Sequence, residues 1–322
     1  MSRKTKRLSA VSGAHRRNGA RILGWMVGTV VAAGTAAAGM FALEGRIING
    51  RTGSFPTELR AELTEAPEWM PDRLRADIER CLLPAGAEYY DKQLTDKVRL
   101  RALANPWVRG VRRTSKHPSG RDKPATLAVD AEFRMPIARA MAGGGYAYLD
   151  MDGVRLPAGQ VPRWASWDPA RPERKAYHID HSTVKAGRQV CPIHYMLIVG
   201  VETEPPPRAG QWLGDDLAAG LELVRLVAAK SYAYQITEID VRNYDGRIDP
   251  NASHLRMWAE LDRCKPTEIR FGRLPKGEGD YVVSPQRKFS YLDKYAEDHN
   301  GRLAGINAYI DLRYDELHLS IN

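Results

Sequence analysis

A chain of 322 residues, 43% hydrophobic and 27% charged, is long enough for two or three domains, and its composition excludes wholesale disorder. Seven of its lysines and arginines, and no acid, lie in residues 1–21, so the high net charge of +9 belongs mostly to this tail. The tail contains no aromatic residue, whereas nucleic-acid-binding faces alternate basic and aromatic side chains. We therefore predict no nucleic-acid partner and a topogenic role for the tail beside a membrane.

The uncharged segment 22–43 predicts a single membrane span. As a helix it would extend about 33 Å at about 1.5 Å per residue, which matches the ~30 Å hydrocarbon core of a bilayer. Trp25 and Phe41 lie near its ends, where aromatic rings favour the interface with water. Because the basic excess precedes the span, residues 1–21 are predicted in the cytoplasm and residues 46–322 on the opposite side of the inner membrane.

A cleaved secretory signal is the alternative for this segment, because Ala36-Ala37-Ala38 offers a plausible cleavage site. The apolar core of such a signal usually has only about 7–15 residues. The length of the uncharged run therefore favours a retained span that contacts the lipid bilayer.

The three cysteines, Cys81, Cys191 and Cys264, form no CxxC pair. An exported domain permits one disulfide among them, but their spacing does not select the pair. Cys191 and His194 resemble half of a metal site. Without a second pair of ligands, this pattern favours a buried cysteine beside an ordinary histidine, and we predict no bound metal.

Residues 44–56 contain Gly, Pro and Ser and predict a short linker, which is followed by a small α+β domain, residues 57–137. Residues 71–83 predict a helix that opens with proline and turns four side chains inward: Leu74, Ile78, Cys81 and Leu82. Residues 91–104 predict a second helix, stopped by Pro106, whose near-helical spacing turns inward Leu94, Val98 and Leu103.

Strands are predicted to complete this first domain. Residues 107–114 and 125–133 alternate in hydropathy, and the polar segment 115–124 between them predicts a hairpin loop. A further short strand is predicted near residues 55–65. The predicted order is therefore strand, helix, helix, strand, strand.

Residues 138–322 predict a strand-rich second domain with two helices, so the fold class of the exported part is α+β. A tight hairpin is predicted at Asp150-Met-Asp-Gly153, because Asp and Gly suit the positive φ of such turns. The strands of this hairpin are predicted at 146–149 and 154–156. The remaining predicted elements are helices at 213–230 and 289–299 and strands at 195–201, 235–242, 253–260 and 267–271.

The last residues predict two strands and an open sheet edge. Apolar residues occupy even positions in 308–314 and odd positions in 317–321. Because a strand alternates in twos, a turn or bulge must lie at Asp315-Glu316. The terminal strand 317–321 is expected at or near a sheet edge, where it can accept a strand from another chain.

The chain contains none of the short catalytic motifs GxSxG, HExxH, SxxK, GxxxxGK[ST] and GxGxxG. His178, Asp180 and His181 are close in sequence, but no serine or cysteine is tied to them by spacing. We therefore predict no enzyme activity, no catalytic residue and no cofactor.

Four ordered motifs resemble the bacterial division protein family FtsQ/DivIB. Residues 104–108, Ala-Asn-Pro-Trp-Val, resemble its PWV motif, and residues 127–138 resemble the strand that ends its POTRA domain. Residues 148–154 resemble the hairpin that opens its β domain, and residues 310–314, Ile-Asp-Leu-Arg-Tyr, resemble the vDlRy motif near its C-terminus. The resemblance covers residues 22–322 and implies a POTRA-like domain followed by a β domain.

This resemblance implies a non-enzymatic scaffold at the division septum, which links early septal-ring proteins to the peptidoglycan synthesis complex. Its implied partners are FtsB/FtsL-like proteins and other divisome components. Pro106 and Trp107 match a POTRA motif, although packing of the last helix against the sheet is an alternative role for Trp107. Partner binding is implied for five residues near the terminal strand, with core packing as the alternative for Tyr314: Arg313, Tyr314, Leu317, Leu319 and Ile321.

Two other functions stay open at this point. POTRA domains also serve in secretion and assembly modules at the outer membrane, and such a module would co-purify with translocation proteins. A membrane-anchored cell-wall enzyme is the second alternative, because active sites can be assembled from residues far apart in sequence.

Overall fold

The computed structural model describes most of the chain from residue 58 onwards. All elements named below lie in one compact unit, residues 59–117 and 126–322, except the first residue of one strand. The described residues are 40, 43 and 58–320, with gaps at 68, 120–123, 143, 163, 167–177, 180–189, 262–263 and 276–281.

Within the described residues, every helix is too short or too polar to cross a bilayer. The predicted tail and span, residues 1–43, lie outside the described residues apart from positions 40 and 43. The predicted linker, residues 44–56, also lies outside them. The chain is a mixed α+β protein in the part that the structure describes, as the sequence predicts.

The first five elements follow the predicted order of strand, helix, helix, strand and strand, with the helix ends shifted by at most three residues. The strands form a sheet of order β1-β3-β2, in which β2 and β3 are antiparallel. The elements are β1 (Leu59–Leu63), α1 (Asp72–Leu82), α2 (Leu94–Leu103), β2 (Val108–His117) and β3 (Ala125–Phe133).

We call the apolar core that these five elements form the first core. Two side chains that were predicted to face it are exposed. α1 buries residues spaced by four, Leu74, Ile78 and Leu82, so Cys81 lies outside that face. In α2, Ala102 follows Val98 by one turn and takes the inward position, so Leu103 is exposed. The predicted loop 115–124 also begins later, because β2 continues to pair with β3 as far as the register pair His117 and Thr126.

The larger sheet contains nine described strands in the order β15-β14-β13-β12-β11-β10-β4-β5-β6. A smaller sheet has the order β7-β9-β8, and two helices complete this part of the chain. The elements are β4 (Pro136–Ala142), β5 (Gly145–Asp150), β6 (Arg155–Leu156), β7 (Trp164–Ser166), β8 (His178–Ile179), β9 (Val190–His194), β10 (Met196–Val199), α3 (Asp215–Ala228), β11 (Ile236–Asp240), β12 (Leu255–Ala259), β13 (Thr267–Gly272), α4 (Pro285–Asp298), β14 (Tyr309–Asp311) and β15 (His318–Leu319).

The predicted hairpin around Asp150 and the predicted strands and helices from residue 195 onwards are confirmed. The sequence did not predict β4, which lies at the centre of the large sheet between β10 and β5. It also did not predict the three short strands of the smaller sheet.

One face of the large sheet packs against α3 and α4. Strand residues such as Ile198, Ile239 and Ile310 are fully buried there with the apolar stripes of both helices. α3 approaches closely at Gly220, where a Cβ would lie 3.0 Å from the Ile198 side chain. This core therefore joins helices and strands that are far apart in sequence.

The opposite face of the sheet carries paired charges. Arg256 Nη2 lies 2.9 Å from Asp240 Oδ2, and Arg256 Nη1 lies 3.4 Å from Glu268 Oε1. Arg270 Nη2 lies 3.0 Å from the second oxygen of Glu268. These pairs join the charged side chains of neighbouring strands on that face.

The segments β10–α3–β11–β12 and β13–α4–β14–β15 are two copies of one arrangement, which we call the first and second repeat. In each, a parallel strand pair is joined by a helix of 14 residues, and an antiparallel return strand follows. Asp240-Val-Arg242 and Asp311-Leu-Arg313 lie 71 positions apart at the ends of the equivalent strands β11 and β14. The two repeats lie side by side in the sheet, since β12 pairs with β13.

Candidate interaction edge

The C-terminal edge is β15 together with its neighbours Tyr314 and Leu317. β15 pairs with β14 through Ile310–Leu319 and Asp311–His318. In the described part of the chain, no strand pairs with the other side of β15, which ends the nine-stranded order. An unpaired strand side of this kind presents free backbone donors and acceptors to another chain.

Hydrogen bonds from the preceding loop hold this edge in place. Ser320 Oγ accepts bonds from the amides of Ala308 at 2.8 Å and Tyr309 at 3.2 Å, and Asn307 Nδ2 donates to the Ser320 carbonyl at 2.8 Å. The Ser320 amide donates inward to the Tyr309 carbonyl at 3.2 Å. Because amides alternate in direction along a strand, the Leu319 amide points outward.

Arg313 is bonded within the fold at the end of β14. Its Nη2 donates to Asp311 Oδ2 at 2.7 Å, and its Nη1 donates to the Asn251 carbonyl at 2.7 Å. The hydrogen bond to Asp311 raises the pKa of the Arg313 guanidinium above its ordinary value. Arg313 therefore holds the segment that follows β14. Its guanidinium also lies over the Tyr314 ring, 5.3 Å from the centroid.

Three of the predicted partner-binding residues bring apolar surface to this edge. Tyr314 is 51% exposed and meets the His318 ring edge-on at a centroid distance of 5.0 Å. Leu319 is 38% exposed, and Leu317 is partly buried against the core between the large sheet and its helices. Ile321 lies outside the described residues.

α4 supports the turn that leads into the edge. Arg287 Nε donates to the Tyr291 hydroxyl at 2.8 Å, and that hydroxyl donates to the Asp315 carbonyl. Lys288, on the same helix, is fully buried, and its Nζ donates to the Arg273 carbonyl at 2.9 Å. Burial lowers the pKa of Lys288 to about 8, with a further contribution from Arg273.

The first repeat shows what covers the equivalent return strand. Leu319 faces Ile310 across β14 in the same way that Met257 faces Ile239 across β11. Met257 has no exposed surface, because β13 pairs along the outer side of β12 and α4 follows it. Leu319 lacks such a neighbour among the described residues, which explains its exposure.

Trp107 lies in the first core, and Pro106 precedes it in the turn between α2 and β2. Trp107 is buried, packs near Trp69 at a centroid distance of 6.3 Å, and its Nε1 donates to Gln160 Oε1 at 2.9 Å. Pro106 is half-buried. These contacts favour the packing role for Trp107, which joins the first core to the segment after β6.

Among the described residues, no group of three or more His, Cys, Asp or Glu side chains is arranged to hold a metal ion. Nε2 of His194 lies 2.8 Å from the Ile236 carbonyl oxygen. Cys81 and Cys264 are free thiols, and the side chain of Cys191 lies outside the described residues. Of the histidine group at 178–181, only the strand residues 178–179 are described.

The fold and this edge define a two-core α+β protein whose second sheet ends in an accessible strand. The chain matches no protein-family model and no curated protein. β15 ends the described nine-stranded order, as expected from the sequence, whereas the repeat was not predicted. Its signal was the recurrence of Ile-Asp-x-Arg at 239–242 and 310–313.

Proposed function

We propose that this protein is a non-enzymatic, membrane-anchored scaffold of the FtsQ/DivIB kind, located at the division septum. It links early septal-ring proteins to the peptidoglycan synthesis complex by accepting a strand of a partner at its C-terminal edge. Its N-terminus lies in the cytoplasm, its span crosses the inner membrane once, and the two cores lie outside. The partners are FtsB/FtsL-like division proteins and other divisome components.

The comparison of the two repeats carries this proposal. The outer side of β12 is covered by a strand and a helix, whereas the equivalent side of β15 has no such cover among the described residues. Leu319 and Tyr314 add exposed apolar surface beside the free backbone groups. Strand addition buries such surface and satisfies the backbone groups at once.

The first repeat also supports a direction for the incoming strand. β13 runs antiparallel to β12, so a partner strand in the equivalent place runs antiparallel to β15. The strand–helix–helix–strand–strand order of the first core supports its interpretation as a POTRA-like domain, as the sequence resemblance implies.

Proline at position 319 tests the proposal. Because the Leu319 amide points outward, Leu319→Pro removes a donor for the partner strand and leaves the Ser320–Tyr309 bond available. We expect the full-length variant to lose at least about tenfold in affinity for FtsB/FtsL-like partners in a pull-down, which corresponds to about 1.4 kcal/mol. Full retention of these partners by Leu319→Pro would contradict the proposal.

The matched control changes only an exposed side chain, because a proline at Leu100 would disrupt α2. Leu100→Asp and Leu319→Asp introduce the same charge at two exposed leucines. We expect only Leu319→Asp to weaken binding. A fluorescent fusion of the full chain in dividing cells tests the location, and uniform fluorescence along the membrane would argue against a septal role.

A further inference from the structure

The exposed large apolar side chains of the first core all lie in α2 or in the turn before it. Among the described residues of 58–137 they are Tyr90 at 64% exposure, Leu100 at 67% and Leu103 at 43%. Tyr90 precedes the helix, and both leucines lie within it. Exposed apolar residues are ordinary when they are scattered singly over a surface, but these three fall within 14 consecutive residues.

The two leucines share one side of α2 with a cation. Leu100 and Leu103 are three residues apart and are therefore neighbours on the helix surface. By the same spacing Asp96 and Arg99 lie beside them, and all four side chains are exposed, opposite the buried stripe of the helix. We call these four residues the outer face of α2.

The cations on and around the outer face lack carboxylate partners. In the described part of the chain, Lys92, Arg99 and Arg101 form no ion pair, and all three are exposed. Arg101 Nε donates to the Cys81 carbonyl at 2.9 Å, which holds the side chain but leaves its charge without an acid. Asp96 is the one acid of the outer face, so positive charge exceeds negative charge there.

The neighbouring helix α1 lacks this combination. Its cations Arg75 and Arg80 pair within the helix with Glu79 and Asp77, each at 3.0 Å. Its large apolar side chains are all buried. Of the two helices, α2 is therefore the one suited to a surface that is both apolar and negatively charged.

The length of chain before the first core places a bilayer within its reach. This step rests on the membrane span of the proposed function, which ends near residue 43 and is joined to β1 by the fifteen residues 44–58. Fifteen residues extend to at most ~50 Å, whereas a domain of about 80 residues has a radius of gyration of only about 12 Å. The linker lets any face of the first core meet the membrane, so the chemistry of the faces decides which one docks. Tethering also raises the effective concentration of the surface, so a weak intrinsic affinity is sufficient.

We propose that the outer face of α2 docks on the anionic surface of the bilayer that the span crosses. Leu100 and Leu103 enter the boundary between headgroups and acyl chains, while Arg99 and Lys92 contact lipid phosphates. Tyr90 suits the same depth, because aromatic rings favour the interface with water. The docking holds the first core against the membrane and does not require β15, so it is separate from the strand addition proposed above.

The test uses the full-length chain in lipid nanodiscs, with an environment-sensitive dye on a single cysteine. The three native cysteines are replaced by serine, and the dye is attached through Ala104→Cys, at the exposed end of α2 next to Leu103. We expect dye emission to be at least about twofold higher in nanodiscs that contain phosphatidylglycerol than in phosphatidylcholine alone, and this ratio to fall as salt increases. The control label, Ala76→Cys on the exposed side of α1, should give equal emission in both lipids.

The possible failures are distinguishable. A chain that does not insert into nanodiscs would overturn the membrane span of the proposed function and this docking with it. A chain that inserts but gives equal emission at position 104 in both lipids would overturn the docking alone. A rise in emission that requires added FtsB/FtsL-like partners, whichever lipid is present, would assign the face to a protein and overturn the bilayer as its ligand.

Leu100→Asp with Leu103→Asp tests the apolar part of the docking. Both side chains are exposed, so the buried stripe of α2 is left intact. We expect this pair to abolish the lipid-dependent rise at position 104 and to retain FtsB/FtsL-like partners as the unsubstituted chain does. The matched control, Met141→Asp with Leu213→Asp, adds the same charge at exposed apolar positions outside the first core and should keep the rise. An equal loss in both pairs would show general repulsion from anionic lipid and overturn the outer face as the docking site.

Lys92→Gln with Arg99→Gln tests the charged part. These substitutions remove two exposed cations that form no ion pair among the described residues, so the fold loses no salt bridge there. We expect the emission in phosphatidylglycerol to fall close to that in phosphatidylcholine. The matched control, Arg208→Gln with Lys265→Gln, removes two exposed cations outside the first core and should preserve the ratio. An unchanged ratio in Lys92→Gln with Arg99→Gln would overturn recognition of anionic headgroups by this face.

Discussion

The two repeats of the large domain share their construction and differ in what covers their return strands. In both, a glycine with positive φ lies near the end of the first strand, Gly200 at +84° and Gly272 at +82°. In both, an arginine two residues after an aspartate donates to that carboxylate through its amide and its guanidinium. Only the first repeat has a further strand beside its return strand among the described residues.

This difference shows that the same arrangement is covered at one place in the sheet and lacks such cover at another among the described residues. The first repeat is sealed, because the second repeat supplies the strand and the helix that cover β12. The second repeat offers the equivalent surface at β15. The same sequence pattern therefore has a structural role in one repeat and a proposed binding role in the other.

The largest effect is expected from the repeat glycines. A Cβ at Gly200 would lie 2.1 Å from Arg242 Cγ and 2.7 Å from its backbone nitrogen, whereas a Cβ at Gly272 would lie 3.0 Å from Arg313 Cγ. Both alanine variants carry the left-handed strain of about 1–2 kcal/mol, and Gly200→Ala adds overpacking of about 1–3 kcal/mol. Chemical denaturation should show Gly200→Ala as clearly the less stable variant. Equal losses of stability in the two variants would mean that the close approach to Arg242 adds nothing to the cost of Gly200→Ala.

The return strands give the next comparison. Met257 is fully buried and Leu319 is partly exposed, so Met257→Ala should cost about 2–4 kcal/mol and Leu319→Ala less than about 1 kcal/mol. Urea denaturation of the full-length variants measures both. If Leu319→Ala cost as much as Met257→Ala in the absence of partners, then β15 would already be covered within the chain.

The buried Lys288 belongs only to the second repeat and gives a pH dependence. Its pKa falls from the ordinary 10.5 to about 8 in the folded protein, because burial disfavours the charged amine. The unfolded chain therefore binds more protons between these pH values, and the free energy of unfolding should rise as pH increases from 8 towards 10. The rise is on the order of 2–3 kcal/mol.

Lys288→Met is the matched variant for this pH dependence, because methionine keeps the unbranched shape without the amine. Its free energy of unfolding should be nearly flat over the same pH range. A wild-type rise that persists in Lys288→Met would assign the titration to another group.

The smallest effect is expected from making the second repeat more like the first. His318 faces Asp311 in the register in which Arg256 faces Asp240, where Arg256 Nη2 donates to the carboxylate at 2.9 Å. His318→Arg should stabilise the full-length chain by about 0.5 kcal/mol at low salt and less at high salt. Thermal denaturation at two salt concentrations measures the effect, and His318→Gln serves as the uncharged control. Equal stability of His318→Arg and His318→Gln would show that a second cation near Asp311 adds nothing to its pairing with Arg313.

The sequence alone determined the order and type of most elements, because alternation and helical spacing are local properties of the chain. It placed α1, α2, α3 and β3 within a few residues and found the terminal strand from the change from even to odd apolar positions. The same local patterns wrongly predicted that Leu103 faces inward. Ala102, a smaller apolar residue one turn after Val98, takes that position.

Only the tertiary structure decided which strands are neighbours. Strand β4 pairs with β10, more than 50 positions away, and the side-by-side placement of the two repeats depends on the β12–β13 pair. Such pairings depend on packing between distant segments, which a local pattern of side chains does not encode.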